Sequence, residues 1–359
     1  MTISSTAVLT FAAISLTFAS VGFVGRSHAN TAPDICGCAK QEQHESVQDV
    51  APVGGTMGRV HDPVMTKEGG TYYVFSTGPG ITVHTSKDMR TWQRAGRAFD
   101  KPIPWTSTTI PGSTDFYWAP DISRSNGRWR LYYSVSTFGR NRSAIGLATN
   151  ATVDSTRPDY AWKDEGIVFE SHPSDDFNAI DPNVATDAKG QPWLAFGSFW
   201  SGIKLMRLDP KTGRPAEVTP KIFSLASRPR GGEIRGAIEA PFIIRHGRYY
   251  YLFASFDFCC RGVNSTYNVR VGRSKAITGP YLDRDGVNMM DGGGTKLLWG
   301  AGRWRGPGHN AVFHAGNTDW LVYHAYDTED RGAPKLRIER MRWTADGWPE
   351  APSMAGITD

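Results

Sequence analysis

One short motif recurs five times along this chain, and it restricts the possible folds more than any other feature. The copies are His61-Asp62-Pro63-Val64, Trp118-Ala119-Pro120-Asp121-Ile122, Ile180-Asp181-Pro182-Asn183-Val184, Glu239-Ala240-Pro241-Phe242-Ile243 and Gly308-His309-Asn310-Ala311-Val312. With the proline (Asn310 in the last copy) as zero, the intervals are 57, 62, 59 and 69 residues. Each copy is followed by a turn holding Gly69-Gly70, Asn126-Gly127, Gly190, Gly247 or Gly316. An aromatic or β-branched run comes next, and its position +12 is Phe75, Tyr132, Leu194, Phe253 and Val322 in turn. A third strand candidate closes every unit: 81–85, 145–149, 203–208, 269–272 and 336–341. A fourth is traceable at 166–169 and 221–225. Four strands repeated five times predict an all-β chain folded as a five-bladed β-propeller. An evenly spaced β-sandwich is the competing fold, and the constant register from motif to strand argues against it. Abundant Gly (39) and Pro (22) suit the many turns and disfavour long helices.

The repeat does not begin at once. Residues 7–25 are apolar and uncharged, and Ser27-His28-Ala29 gives the small-x-small ending of a cleavable leader. Residues 1–29 are therefore expected to be a signal peptide, with an uncleaved N-terminal anchor as the alternative. The stretch 30–53 is polar and unpatterned and is expected to be a linker, with the propeller over 54–359. Export allows disulfides. Cys36 and Cys38 can pair or stay free, and Cys259-Cys260 can form an adjacent-residue bridge or remain reduced. The net charge of +5 is spread along the chain without a Lys/Arg run, so no nucleic-acid partner is expected. No second apolar span follows the leader, and the chain is expected to act as a monomer.

Blades of a propeller radiate from a central channel, and the first strand of each is innermost. Equivalent motif positions then meet near the axis, where they carry Asp62, Trp118/Ala119, Asp181, Glu239 and His309. Three carboxylates in one cavity raise one another's pKa, which favours a site over a core. Inverting glycosidases need such a set: one ionised carboxylate to activate water, one protonated carboxyl to release the leaving oxygen, and a neighbour to tune the acid. Two other readings stand beside this one. An Asp-Pro at a strand start can be a plain turn residue, and three carboxylates with a histidine can hold Ca²⁺. Phe116, Tyr117, Trp118 and Trp200 suit either a propeller core or stacking on sugar rings.

From about Gly58 to Trp348 the chain resembles glycoside hydrolase family 43, and its arabinanase branch in particular. The Asp-Pro and Glu-Ala-Pro motifs above mark the family. The stretches Phe196-Gly197-Ser198-Phe199-Trp200-Ser201-Gly202-Ile203 and Phe256-Asp257-Phe258-Cys259-Cys260-Arg261-Gly262 look like the branch. The resemblance implies Asp62 as general base, Glu239 as general acid and Asp181 as the residue that raises the acid's pKa and orients it. It implies a calcium ion ligated by His309, structural or electrostatic in role and not needed for the chemistry. It places Phe116, Trp118, Asn183 and Ser198 along the substrate cleft. The implied function is a secreted or periplasmic enzyme that cuts α-1,5-L-arabinofuranosidic bonds in arabinan and arabino-oligosaccharides. An exo-acting arabinofuranosidase or a β-xylosidase of the same family is the alternative, and a catalytically silent carbohydrate-binding propeller is a further one. Inserts at 101–113 and 227–236 are candidate walls of the cleft. Gly292-Gly293-Gly294 lacks the Lys-Ser/Thr of a phosphate loop and reads as a turn.

Overall fold

The computed structural model describes residues 57–354 and, ahead of them, two short strands, Val50–Ala51 and Gly54–Gly55. The leader and Cys36-Cys38 lie outside the described residues. The chain forms five sheets in succession, each the blade of a β-propeller. Blade I is Val64–Glu68, Thr71–Ser76, Thr82–Ser86 and Thr91–Arg97. Blade II is Phe116–Ser125, Arg128–Val135, Ser143–Asn150 and Lys163–Ser171. Blade III is Asn183–Thr186, Pro192–Phe196, Ile203–Arg207 and Phe223–Ala226. Blade IV is Ile238–His246, Tyr249–Phe256, Asn268–Ser274 and Thr295–Leu298. Blade V has Trp304–Ala315, Thr318–Asp327 and Ala333–Trp343. All these neighbours pair antiparallel, as tight hairpins require.

Blade V takes its outer strand from the other end of the chain. Val50–Ala51 pairs antiparallel with Ala333–Trp343, so the sheet reaches back into the stretch read as linker. The Val60 amide adds a bond to the carbonyl of Pro334, at 3.0 Å. The early and late ends of the propeller are thus held together by backbone bonds, and the outer edge of blade V is covered. Among the described residues the α-helix is the short Pro104–Thr109, inside the insert at 101–113.

The second strands carry the packing. Residues 250–256 and 129–135 are buried throughout, and the +12 residues Phe75, Tyr132, Leu194, Phe253 and Val322 are all nearly or wholly inaccessible. Apolar clusters run between blades and not only within them. One joins blades I, II and V, another III and IV. Burial on both faces is why these strands read as continuous apolar runs.

The recurring motif makes the same irregularity in each blade. The residue just before the zero has positive φ every time: Asp62 (51°), Ala119 (44°), Asp181 (58°), Ala240 (54°) and His309 (50°). None is glycine, and left-handed backbone costs such residues about 1 kcal/mol or more each. In blades II, IV and V the ladder slips by one residue there: Trp118 faces Ser134 and Asp121 faces Tyr132, with the same pattern at Glu239/Phe242 and Gly308/Ala311. This is a β-bulge, which bends the strand and re-aims its side chains. Four of the five left-handed residues donate their amides to the blade before them at equivalent places. Ala119 N bonds Thr77 Oγ1, Asp181 N bonds Ser134 Oγ, His309 N bonds Ser255 Oγ and Asp62 N bonds His324 Nδ1, at 2.8–3.1 Å. In blade III the equivalent place is Gly197, whose φ of 128° and close approach to the Gly202 carbonyl exclude a side chain. There the Ala240 amide turns to Asp181 Oδ2 instead, at 3.1 Å.

Candidate functional site

The bulges bring Asp62, Asp181 and His309 together at one register position. Glu239 stands one residue earlier in its motif, level with His61, Trp118, Ile180 and Gly308. This corrects the expectation that all three carboxylates share one position. Because the left-handed residue bends the strand and re-aims its side chains, both positions can serve one cavity.

Asp62 is surrounded by donors. Its Oδ1 lies 2.7 Å from His61 Nδ1 and 3.1 Å from His309 Nδ1, and its Oδ2 accepts the Thr77 hydroxyl at 2.6 Å. Burial alone would raise its pKa, but His61 and His309 outweigh it and hold the carboxyl well below the ordinary range. His324 stacks on His61 at 3.8 Å and receives the Asp62 amide on Nδ1. Burial holds His324 well below the usual histidine range, and its Nε2 is buried without a partner.

Asp181 has the opposite balance. Burial, with the charges of Glu239 and Asp62, pushes it up to about 8 against the pull of His309. Glu239 is bonded on both oxygens: Oε2 accepts the Ser198 hydroxyl and Oε1 the Tyr267 hydroxyl, each at 2.7 Å. Tyr267 is buried, and its ring lies where any side chain at Gly308 would stand, since a Cβ there would be 1.9 Å from Cδ1. His309 is raised to about 9: burial opposes this, but Asp62 and then Asp181 and Glu239 favour its charged form.

The residues expected along the cleft divide. Phe116 is 46% exposed and Trp118 half-buried, as a surface for a ligand requires. Ser198 is buried and engaged with Glu239, so it orients a carboxylate. Asn183 differs most from expectation. It is 2% exposed, its Nδ2 donates to Asp121 Oδ1 and its Oδ1 accepts the Ile243 amide. Its amide joins blades II, III and IV and faces protein. Asp121, also bonded by the Val184 amide, is pushed up to about 6 by burial.

Tyr267, Thr77, His324 and Tyr326 were not among the expected site residues. A signal for two of them lies in the repeat: position +14 is Thr77, Ser134, Ser255 and His324 in four copies, polar within otherwise apolar runs, and Phe196 in the third. Tyr267 and Tyr326 carry no such mark.

For a cation, His309 has its Nδ1 turned on Asp62, so Nε2 is the atom it could offer. The nearest set of donors is His61, Asp62 and His324, whose ligand atoms lie within 4.8 Å of one another, but they are bonded among themselves. His61 with Cys259 and Cys260 forms another close group, in which the sulfurs are joined to each other as a disulfide. One imidazole nitrogen is compatible with calcium only if water completes the oxygen shell that this ion prefers.

Comparison with known proteins agrees with this fold. The profile of glycosyl hydrolases family 43 matches residues 53–349. The extracellular exo-α-(1→5)-L-arabinofuranosidase of Cellvibrio japonicus is 49% identical over 298 residues, covering 81% of this chain and 86% of that protein. The extracellular endo-α-(1→5)-L-arabinanase 1 of Bacillus subtilis is 48% identical over 300 residues, covering 82% and 88%. Among solved structures, the Cellvibrio cellulosa α-L-arabinanase complexed with arabinohexaose superposes with a TM-score of 0.79 at 48% identity, over 82% of this chain and 96% of that one.

Proposed function

The chain belongs to glycosyl hydrolases family 43, and from that premise we propose that it hydrolyses the α-1,5 bonds of arabinan with inversion. Asp62 acts as base, Glu239 as acid, and Asp181 sets the acid's proton and orientation. The observation that carries this reading is the divergence of two buried carboxyls at one register position, Asp62 held low and Asp181 held high. Groups whose environments push their pKa values apart mark base and acid sides of a site.

A carboxylate offers about four lone-pair positions. His61, His309 and Thr77 occupy three on Asp62, which leaves one for a water. That water's oxygen attacks the anomeric carbon, its proton passes to Asp62, and the C–O bond to the leaving sugar breaks. The leaving oxygen takes a proton from Glu239. Burial and the charges of Glu239 and Asp62 push Asp181 up to about 8, so it holds a proton beside Glu239 at neutral pH. Asp181 also accepts the Ala240 amide, which anchors the backbone beside Glu239. Protonated His309 supplies positive charge among the three carboxylates. His309 Nε2 would be the atom to hold a calcium ion, which would supply positive charge there in place of that proton.

A relative at 48% identity that is named as an arabinanase supports the substrate, and the description of both relatives as extracellular supports export. Internal cleavage is our primary reading. Release from chain ends is the second, because the Cellvibrio japonicus relative of equal similarity is named as exo-acting. The test is a product time course on linear α-1,5-arabinan, with Glu239→Gln alongside and the first products followed by proton NMR. An early spread of oligosaccharides appearing as β-anomers is expected. One short product from the start gives the end-wise reading. Retained α-configuration, or near-normal turnover by Glu239→Gln, would remove the mechanism.

A further inference from the structure

The adjacent cysteines of blade IV have no part in the chemistry above, yet they abut it. Cys259 and Cys260 are joined by a disulfide in the loop that follows Tyr249–Phe256. Cys260 is exposed and left-handed, with φ 67°. Its amide donates to Tyr326 Oη at 2.8 Å, and its Sγ lies 3.9 Å from His61 Nε2. Tyr326 Oη is 2.8 Å from the same His61 Nε2, and His61 Nδ1 is 2.7 Å from Asp62 Oδ1. Four groups thus stand in line from a surface disulfide to a buried carboxylate.

One direction of donation satisfies every member. The Cys260 N–H can only donate, so the Tyr326 oxygen accepts it and the Tyr326 hydrogen is free for His61 Nε2. With Nε2 accepting, the ring hydrogen of His61 sits on Nδ1, where it donates to Asp62. A partner on one imidazole nitrogen sets what the other does, and a histidine in the wrong tautomer loses its hydrogen bond to the reacting group even when the geometry is intact.

We propose that Tyr326 is a positioning residue for Asp62, acting by fixing the His61 tautomer, and that the Cys259–Cys260 disulfide is the latch that keeps the Cys260 amide on Tyr326. The proposal rests on the reading of Asp62 as base. Its corollary is that turnover is sensitive to dithiol reductants. A dithiol gives two electrons and two protons to the bridge and becomes a cyclic disulfide, leaving Cys259 and Cys260 as thiols. The S–S bond no longer ties the two side chains, the left-handed turn at Cys260 relaxes, and the amide leaves Tyr326. His61 is then free to carry its hydrogen on Nε2, and Asp62 loses a donor.

The experiment uses the full chain with ¹⁵N-labelled histidine. Wild type, Tyr326→Phe, Cys259→Ser/Cys260→Ser and Asp62→Asn are compared before and after dithiothreitol, with thiol titration and circular dichroism to establish reduction and folding. Tyr326→Phe is expected to lower kcat roughly tenfold with KM within about twofold, and to move the His61 ¹⁵N resonances from the Nδ1–H to the Nε2–H pattern. Reduction of wild type is expected to do the same in smaller degree, and to add nothing in Tyr326→Phe or in the double serine variant. Unchanged kcat or an unchanged His61 tautomer in Tyr326→Phe overturns the positioning role. Full activity of the reduced wild type overturns the latch. Near-normal activity of Asp62→Asn overturns the base assignment itself, separately from the other two results.

Discussion

Asp62 and Asp181 occupy the same place in blades I and III. Each precedes a proline, each is left-handed at φ 51° and 58°, and each is buried. They hold protons in opposite ways, one well below the ordinary range and the other up to about 8. The difference comes from what surrounds each one, within its own blade and from the others. Asp62 meets His61, His309 and the Thr77 hydroxyl. Asp181 meets the Ala240 amide and the negative charges of Glu239 and Asp62. One local backbone, repeated, therefore holds one carboxyl low and another high, and the charges and donors around each decide which is which.

The comparison can be broken first at its charges. Asp62→Asn and Glu239→Gln should each lower kcat on arabinan by about a thousandfold, within the range for loss of a general base or acid, while circular dichroism stays native. A smaller effect is expected from Gly308→Ala. The added methyl would stand where the Tyr267 ring lies, so the ring must shift and Glu239 Oε1 loses its donor. Overpacking of this kind costs about 1–3 kcal/mol, readable in urea unfolding. The kcat should fall roughly tenfold, and a crystal structure with Tyr267 unmoved would contradict the account.

Asp181→Asn sharpens the contrast through pH. A carboxyl whose folded pKa is raised contributes stability that is whole below its unfolded pKa and is lost as pH climbs through the folded value, here about 8. Wild type should therefore lose thermal stability relative to Asp181→Asn between about pH 4 and pH 8. Asp62, with its lowered pKa, contributes in the other sense: its share is present at neutral pH and lost on acidification. Melting curves of wild type and Asp181→Asn from pH 4 to pH 9 check the first sign, and those of wild type and Asp62→Asn on acidification below about pH 4 check the second. The smallest effect is expected from Asn183→Ala. It leaves the Ile243 amide and the Asp121 carboxyl each short of a partner and should cost about 1–3 kcal/mol. KM on arabino-oligosaccharides should stay within about twofold, whereas a large rise would return Asn183 to the cleft.

Much of this was legible in the chain. The five motifs, the turn glycines and the apolar +12 positions predict five blades in their order, and the sheets follow that register closely. Blade III is the exception by one residue: Asn183 pairs with Ala195 where the other blades pair +1 with +12. The longer turn is visible in the spacing but its consequence is not. The motif residues Asp62, Asp181, Glu239 and His309 were found because repetition marks them. Asn183 was assigned to the cleft on resemblance, and in the fold its polar amide serves the contacts between blades. Tyr326, in an aromatic strand, and Tyr267, in the loop before one, were missed because a tyrosine has the same sequence pattern whether its hydroxyl meets water or a carboxylate.

The sequence by itself determined the number of blades, the strand order and the placing of a carboxylate motif in three of them, because backbone periodicity and turn chemistry are local and repeat. Only the tertiary structure decided which carboxylate keeps its proton, which polar side chains join blades and which touch the site, and that Val50–Ala51 completes blade V. Those outcomes depend on burial and on charges brought together from residues as much as 265 positions apart, as His61 and Tyr326 are. Desolvation and Coulomb energies are set by distance in space, which the order of residues does not contain.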